Sequence, residues 1–362
     1  MLKKLSEICH IEKGKQIDTK LLDEKFPYKY INGGIKESGY FSEYNTQGKT
    51  VTVSEGGSCG YVNYIEEPFW CGCHCYRLTN ANVNEKYLYY VLKGNQDKIM
   101  KLRTGAAIQN IKKSSFANMI LNITEEKSEQ NLIVNDLDCI NNLINRKQKE
   151  LFSLDELIKS RFIEMFETID LSSERQGWLP INDVTKIITG TTPSTNDETN
   201  WNGDILWITP AEMNANTFYI FDTERKITEK GRKSKSLEIM PVNTVLLSTR
   251  APIGKVGIVG KPMACNQGFK NFICNEKLNP VFLYILLKNN TEYLNSLGSG
   301  TTFLEVSKAK IGELKIPLPP IELQNEFAKY VEQIDKSKFI VQQQIKDLQE
   351  LLDKKMDEYF GK

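Results

Sequence analysis

With 362 residues, 40% of them hydrophobic and 26% charged, the chain is long enough for two or three domains, each burying its own core. Its longest apolar run, VFLYILL (281–287), is far short of the ~18 residues a membrane span needs, and MLKKLSEICH lacks the apolar stretch of a secretory signal. The formal net charge of +1 does not suggest a non-specific nucleic-acid coat, nor does it exclude a reader with local basic loops.

In chain order, the elements are written twice. LSEICHIEKG (5–14) is matched by INDVTKIITG (181–190), and KTVTVSEGGSCGYV (49–62) by NTVLLSTRAPIGKV (243–256) at an offset of 194. YLYYVLKGN (87–95) is matched by FLYILLKNN (282–290) at an offset of 195, and Gly105 by Gly300. Gly14 to Thr50 is 36 positions and Gly190 to Thr244 is 54, so the second copy carries 18 more residues there. A period this long means two homologous modules rather than a solenoid. Short β-like runs (KTVTVS, NTVLLST, VGIVG, FKNFIC) separated by Gly, Pro and Asn predict compact α+β modules with small β-rich cores.

Each copy ends in a helical pattern. Ile133, Leu137, Ile140, Ile144, Leu151, Leu154, Ile158 and Met165 keep the alternating four-and-three spacing of a coiled-coil seam. Adding 194 gives Phe327, Val331, Ile334, Lys338, Ile345, Leu348, Leu352 and Tyr359; Lys147 breaks the first seam and Lys338 the second. Residues 128 to 166 would span roughly 58 Å at ~1.5 Å per residue. A helix buried against its own module is one reading. The narrow seam and the length favour two helices pairing with each other, antiparallel by the two-fold logic of a repeated chain. The expected organisation is module 1 over 1–127, a central long helix over 128–176, module 2 over 177–320 and a C-terminal long helix over 321–362, arranged pseudo-two-fold.

The run FWCGCHCYRL (69–78) looks like a compressed metal site. On one straight strand, however, Cys71, Cys73 and Cys75 would lie ~6.6 Å apart, too far to share a zinc, with His74 facing the other way. The matching stretch MACNQGFKNF (263–272) lacks the cluster, so a half-buried strand of small thiols is expected and no metal. Eight cysteines in a chain expected to be cytoplasmic read as reduced thiols. No GxxxxGK[ST] or GxGxxG motif occurs, and only two histidines exist, so no catalytic constellation is visible.

Three further stretches are specific: ITGTTPST leading into WNGDILWITPAEM (188–213), LLSTRAPIGKVGIV (246–259) and IPLPPIELQNEF (316–327). Their order, repeated with two helices, resembles the specificity subunit of a type I restriction–modification system over essentially the whole length. HIEKGKQ, YKYINGGI and VSEGGSCGYV are a divergent version in the first copy. The resemblance implies two target recognition domains, each reading half of a split double-stranded DNA site. It also implies paired helices that set the spacing and dock two methyltransferase subunits, with motor–nuclease subunits joining them. S-adenosylmethionine, and ATP with Mg for restriction, would belong to those partners, and this chain would bind no cofactor and catalyse nothing. The chain has no Asn/Asp-Pro-Pro-Tyr/Phe motif; its only Pro-Pro, in PLPP, precedes a helix. A free-standing DNA-binding or regulatory protein built from the same modules, and an enzyme with an unrecognised carboxylate site, are the other readings.

Base edges call for Arg, Lys, Asn, Gln and Thr on loops, and phosphates for Lys, Arg and backbone amides. The candidate DNA contacts in module 2 are Thr209, Thr249, Arg250, Lys255, Gln267, Lys270 and Thr301. In module 1 the matched loops offer Asn32, Lys49, Glu55, Arg77, Gln109, Lys112 and Lys113.

Overall fold

The computed structural model describes residues 1–105, 109–214, 217–299 and 304–361. Two compact units divide the chain: 1–150 with 341–362, and 151–340. Among the described residues no helix is long and apolar enough to cross a membrane.

The first unit is built on a four-stranded antiparallel sheet in the order His10–Lys13, Cys75–Thr79, Thr50–Ser54, Val62–Ile65. Thr50–Ser54 is an inner strand and is buried throughout, although its Thr/Val alternation is the pattern of a half-buried one. A second sheet orders Tyr40–Phe41, Tyr28–Ile31 and Phe69–Cys71, the last two parallel. The second unit repeats this plan. Thr185–Thr189, Phe269–Cys274, Val245–Ser248 and Val256–Val259 form the main sheet, with Tyr219–Ile220 added at its edge. Arg225–Ile227, Trp201–Ile208 and Met263–Cys265 form the second sheet. The extra strand Tyr219–Ile220 and the helix Glu229–Ser234 lie in the interval that carries the added residues.

One helix covers each main sheet. Glu85–Gly94 is capped by Asn84, whose Oδ1 accepts the amides of Lys86 and Tyr87 at 2.9 and 3.0 Å. Pro280–Asn289 is capped by Asn279 and carries proline at its first position.

The two long helices run Lys127–Phe166 and Ile321–Phe360, 40 residues each. The first stops well before 176. The Glu167 amide donates to Ile163 O at 2.8 Å, and Glu167 takes a left-handed φ of 65°, which closes the last turn. Contacts inside each unit show antiparallel pairing. In the first, Tyr359 Oη donates to Asp136 at 2.8 Å; in the second, Lys338 meets Asp155 at 2.7 Å and Arg161 meets Glu326 at 3.1 Å. Both sequence readings of the seam apply in part. Ile133, Val134 and Leu137 pack into their own unit's core, as do Phe162, Phe327 and Val331 in the other.

A buried amide ties each long helix to its module. Gln130 Oε1 accepts the Asn84 amide and Gln324 Oε1 the Asn279 amide, both at 2.8 Å. Asn84 Nδ2 donates to Asn131 at 2.9 Å, and Asn279 Nδ2 to Asn325 at 2.7 Å. Gln324→Ala strands a buried amide and should lower stability by about 1–3 kcal/mol, while Glu322→Ala, an exposed neighbour in the first turn, should change it by less than about 0.5. Urea unfolding followed by circular dichroism checks this; equal effects of the two substitutions would contradict the clamp.

Candidate nucleic-acid interface

In the second unit the hairpin of Val245–Ser248 and Val256–Val259 ends in a polar cluster. Its turn carries Thr249, Arg250 and Lys255. The Thr249 amide donates to Gly268 O at 2.8 Å, which brings in the 266–268 turn with Gln267. Lys255 Nζ donates to Pro210 O at 2.8 Å, which brings in Thr209. Thr192 Oγ1 donates to Gln267 at 2.6 Å. Lys270, on the adjoining strand, is 6% exposed, and its Nζ donates to Glu305 at 3.3 Å and Thr249 Oγ1 at 3.5 Å. Arg250 Nε donates to Glu305 at 2.9 Å. Partial burial works to raise the Glu305 carboxyl, but the Arg250 hydrogen bond and the Lys270 charge outweigh it and hold it below the usual carboxylate range. Arg250 and Gln267 present exposed donors, whereas Thr209 closes a capping box with Glu212 and Thr249 is fully buried. Thr301 lies outside the described residues.

The first unit gathers its cluster at the same hairpin end. Glu55 stands just past Thr50–Ser54, and Lys13 Nζ reaches its carboxylate at 2.7 Å. The Ile111 amide donates to Glu55 O at 3.1 Å, which brings exposed Lys112 and Lys113 alongside. Asn32 Oδ1 accepts the His74 amide at 3.1 Å and so shapes the 72–74 turn. Gln109 is exposed and receives a 3.4 Å hydrogen bond from Arg103.

Two residues stand apart from this cluster. Lys49 precedes strand Thr50–Ser54 and lies at the opposite end from Glu55, about 17–20 Å away at ~3.3 Å per residue. Arg77 is spent on the scaffold, donating to Glu12 at 3.0 Å, to Thr46 Oγ1 at 3.0 Å and to the Asn45 carbonyl. Lys13 and Glu305 belong to the two clusters and were not anticipated. Their partners are 42 and 55 positions away, and no local pattern marks such pairs.

The cysteine run is not one strand. Phe69–Cys71 and Cys75–Thr79 belong to different sheets, with a turn over 72–74, because a Cβ on Gly72 would stand 2.4 Å from Asn32 Oδ1. The turn brings Cys71 and Cys75 together, both at or below 1% exposure. The Cys71 hydrogen bond to Cys75, and burial, push the Cys71 thiol up; Cys75 Sγ accepts the Gly33 amide at 3.0 Å. Cys73 is half-buried beside Gln16 Oε1 at 2.9 Å, and His74 is exposed. Among the described residues no group of three or more His, Cys, Asp or Glu is placed to hold a metal. All eight thiols are free.

A family model, the type I restriction modification DNA specificity domain, matches residues 1–152 and 178–350. The chain belongs to that family. It is 39% identical over 184 residues to the MjaIX type I restriction enzyme specificity subunit of Methanocaldococcus jannaschii, covering 49% of this chain and 43% of the relative. It is 28% identical over 166 residues to the EcoR124I/EcoR124II specificity subunit of Escherichia coli, covering 44% and 40%. The chain thus spans less than half the length of these relatives. In fold, this specificity-domain chain is similar to a type I restriction–modification S subunit from M. genitalium, with TM-score 0.67 and 21% identity over 99% of this chain and 96% of that one. A structure described as showing complex assembly and conformational transition of the type I R-M system gives TM-score 0.56 and 14% identity over 99% and 97%.

Burial pushes Cys9, Cys265 and Cys274 up to about 12. At pH 8 these groups stay protonated and react slowly. A native thiol titration with Ellman's reagent should therefore count Cys139 and Cys73 quickly, and reach all eight only in denaturant. Fast modification of Cys265 or Cys71 in the native protein would show that these cores open.

Proposed function

We propose that the chain is the DNA sequence-specificity subunit of a type I restriction–modification complex, with each unit reading one half of a bipartite double-stranded target. The observation that carries this reading is the repeated hairpin end. The two units share one scaffold there and furnish it with unlike side chains. Glu55, Lys112 and Lys113 occupy it in one unit, and Arg250, Gln267 and Lys270 in the other. Different side chains on one backbone are what two different half-sequences require. Exposed Arg and Gln supply base-edge donors, and exposed lysines supply phosphate contacts.

The long helices act as the spacer between half-sites and as the docking surface for two methyltransferase subunits, which motor–nuclease subunits then join. Their outward faces carry large apolar side chains without cover: Leu132 is 68% exposed, Phe152 69%, Phe339 67% and Ile340 57%. Apolar exposure of this kind suits a partner interface. Adenine methylation with S-adenosylmethionine, and ATP-driven restriction, belong to the partners; this chain supplies recognition. The assembly works in the cytoplasm.

Mapping methylated adenines in cells with and without this gene tests the reading directly, since loss of a bipartite methylated motif is expected on deletion. Arg250→Ala should cost about 1–3 kcal/mol of discrimination at one or two bases of a single half-site. Lys112→Ala with Lys113→Ala should affect the other half only; a change in both halves from either variant would contradict independent reading. Removing seven residues from each long helix should shorten the unread gap in the methylated motif while preserving both half-sequences, and an unchanged gap would remove the spacer role.

A further inference from the structure

Glu305 is the one described carboxylate paired to cations at the second unit's hairpin end. It faces Arg250 and Ser299 across β-bridges, and the Val306 amide donates to Thr249 O at 2.9 Å, so its backbone is fixed. Its Oε2 accepts Arg250 Nε at 2.9 Å and its Oε1 accepts Lys270 Nζ at 3.3 Å. The Arg250 and Glu305 side chains are 45% and 36% exposed, and an ion pair so open to water adds little to stability. Its consequence is geometric. The carboxylate engages Arg250 through Nε, and among the described residues the two terminal guanidinium nitrogens have no protein partner. Those two nitrogens form the planar fork that matches O6 and N7 of guanine.

The first unit is built differently at the same spot. The Ile111 amide donates to Glu55 O, as Val306 does to Thr249 O, so Glu55 stands where the second unit has Thr249. Gly56 then stands in the place of Arg250, and Asn110 in that of Glu305. Its carboxylate comes from another strand end and holds Lys13, a point charge without a fork. The arginine fork and its carboxylate belong to one unit.

We propose that Glu305 is the positioning residue that aims Arg250 at a guanine, so the half-site read by the second unit contains a G·C pair whose recognition requires both residues. This rests on the DNA-reading proposal above. Glu305 works through Arg250, holding the guanidinium away from phosphate, where it would bind without regard to sequence.

The test maps N6-methyladenine genome-wide in cells expressing the full complex with wild-type chain, Arg250→Ala, Glu305→Gln, Glu305→Ala or Arg250→Ala with Glu305→Gln. The wild-type motif should contain guanine in the half altered by Arg250→Ala. Each single variant should lower preference for that same guanine by about 5- to 150-fold, and the double variant should be no worse than Arg250→Ala. Purified Glu305→Gln should bind a random-sequence duplex more tightly, with a salt dependence steeper by about one unit, and its melting temperature should be unchanged. A general loss of stability with base preference intact would mean a structural role and overturn the inference. So would a guanine preference that survives both Glu305 variants, or a relaxed base different from the one Arg250→Ala relaxes, which would make Glu305 a reader in its own right. If no variant, including Arg250→Ala, alters either half, the DNA-reading proposal itself fails; if Arg250→Ala alters one half and Glu305 does not, only the positioning role fails.

Discussion

Each module's geometry depends on a glutamine amide with no access to water. Gln130 is 1% exposed and Gln324 is 0%. A buried amide must satisfy both of its ends, because an unpaired one forfeits the hydration it had in the unfolded chain. Gln130 accepts from Asn84 N and donates to Thr124 O; Gln324 accepts from Asn279 N and donates to Pro319 O and Lys277 O. The acceptor end reaches the cap of the helix over the sheet. The donor end reaches the chain leading into the long helix at Thr124 and Pro319, and in the second unit also Lys277 just ahead of the cap. A long helix can therefore leave its module only at one angle and one register. Apolar packing of Leu137 or Phe327 supplies most of the attraction, but apolar contacts tolerate sliding and these hydrogen bonds do not.

Much of the fold was legible because both copies obey the same backbone rules. Gly14 and Gly190 align in sequence, and the structure gives the reason. A Cβ on either would lie 2.3 Å or less from the carbonyl of Cys71 or Cys265, where the chain crosses the end of the second sheet. The stretch over each sheet was legible as a repeated segment, YLYYVLKGN and FLYILLKNN, and the long helices from their seam. The cysteine run misled because alternate thiols imitate the period of a strand. Gly72 was the signal of a turn, but its role depends on Asn32, 40 positions away, and no local pattern contains that contact.

The polar ends were legible in type and not in use. Choosing donors on loops finds Arg250, Gln267, Lys112 and Lys113, which are exposed at the hairpin ends. The same rule also selects Arg77, Thr209 and Lys255, whose polar atoms are occupied across a strand pair, within a capped turn and between two loops respectively. For Arg77 and Lys255 the difference lies in long-range hydrogen bonding, which residue identity does not encode. Among the acids, Glu55 was selected and Glu305 was passed over; the cationic partners of Glu305, Arg250 and Lys270, lie 55 and 35 positions away. Sequence separation hid that grouping, although a carboxylate among cations is the physical means of holding a guanidinium in one orientation.

The helix seam carries a last asymmetry. Lys338 is 7% exposed and bonded to Asp155, while the matching places in the first unit hold Ile144 and Gln349. Burial lowers Lys288 and raises Asp335 nearby, so this polar island is poorly hydrated. Such a pair contributes little net stability over apolar residues of similar size, because desolvation of both charges offsets their attraction. It does penalise every arrangement that separates them. A slip of one heptad would carry Lys338 toward Phe162, which is 2% exposed, and leave an ammonium buried without a partner. In the first unit the same slip would break the Tyr359–Asp136 hydrogen bond and pull Phe360 from its core, but would bury no unpaired charge at this position. A single buried ion pair in one unit therefore fixes the register of both helices there, as a polar residue in an apolar seam does in coiled coils, and a fixed register is what the proposed spacer role requires.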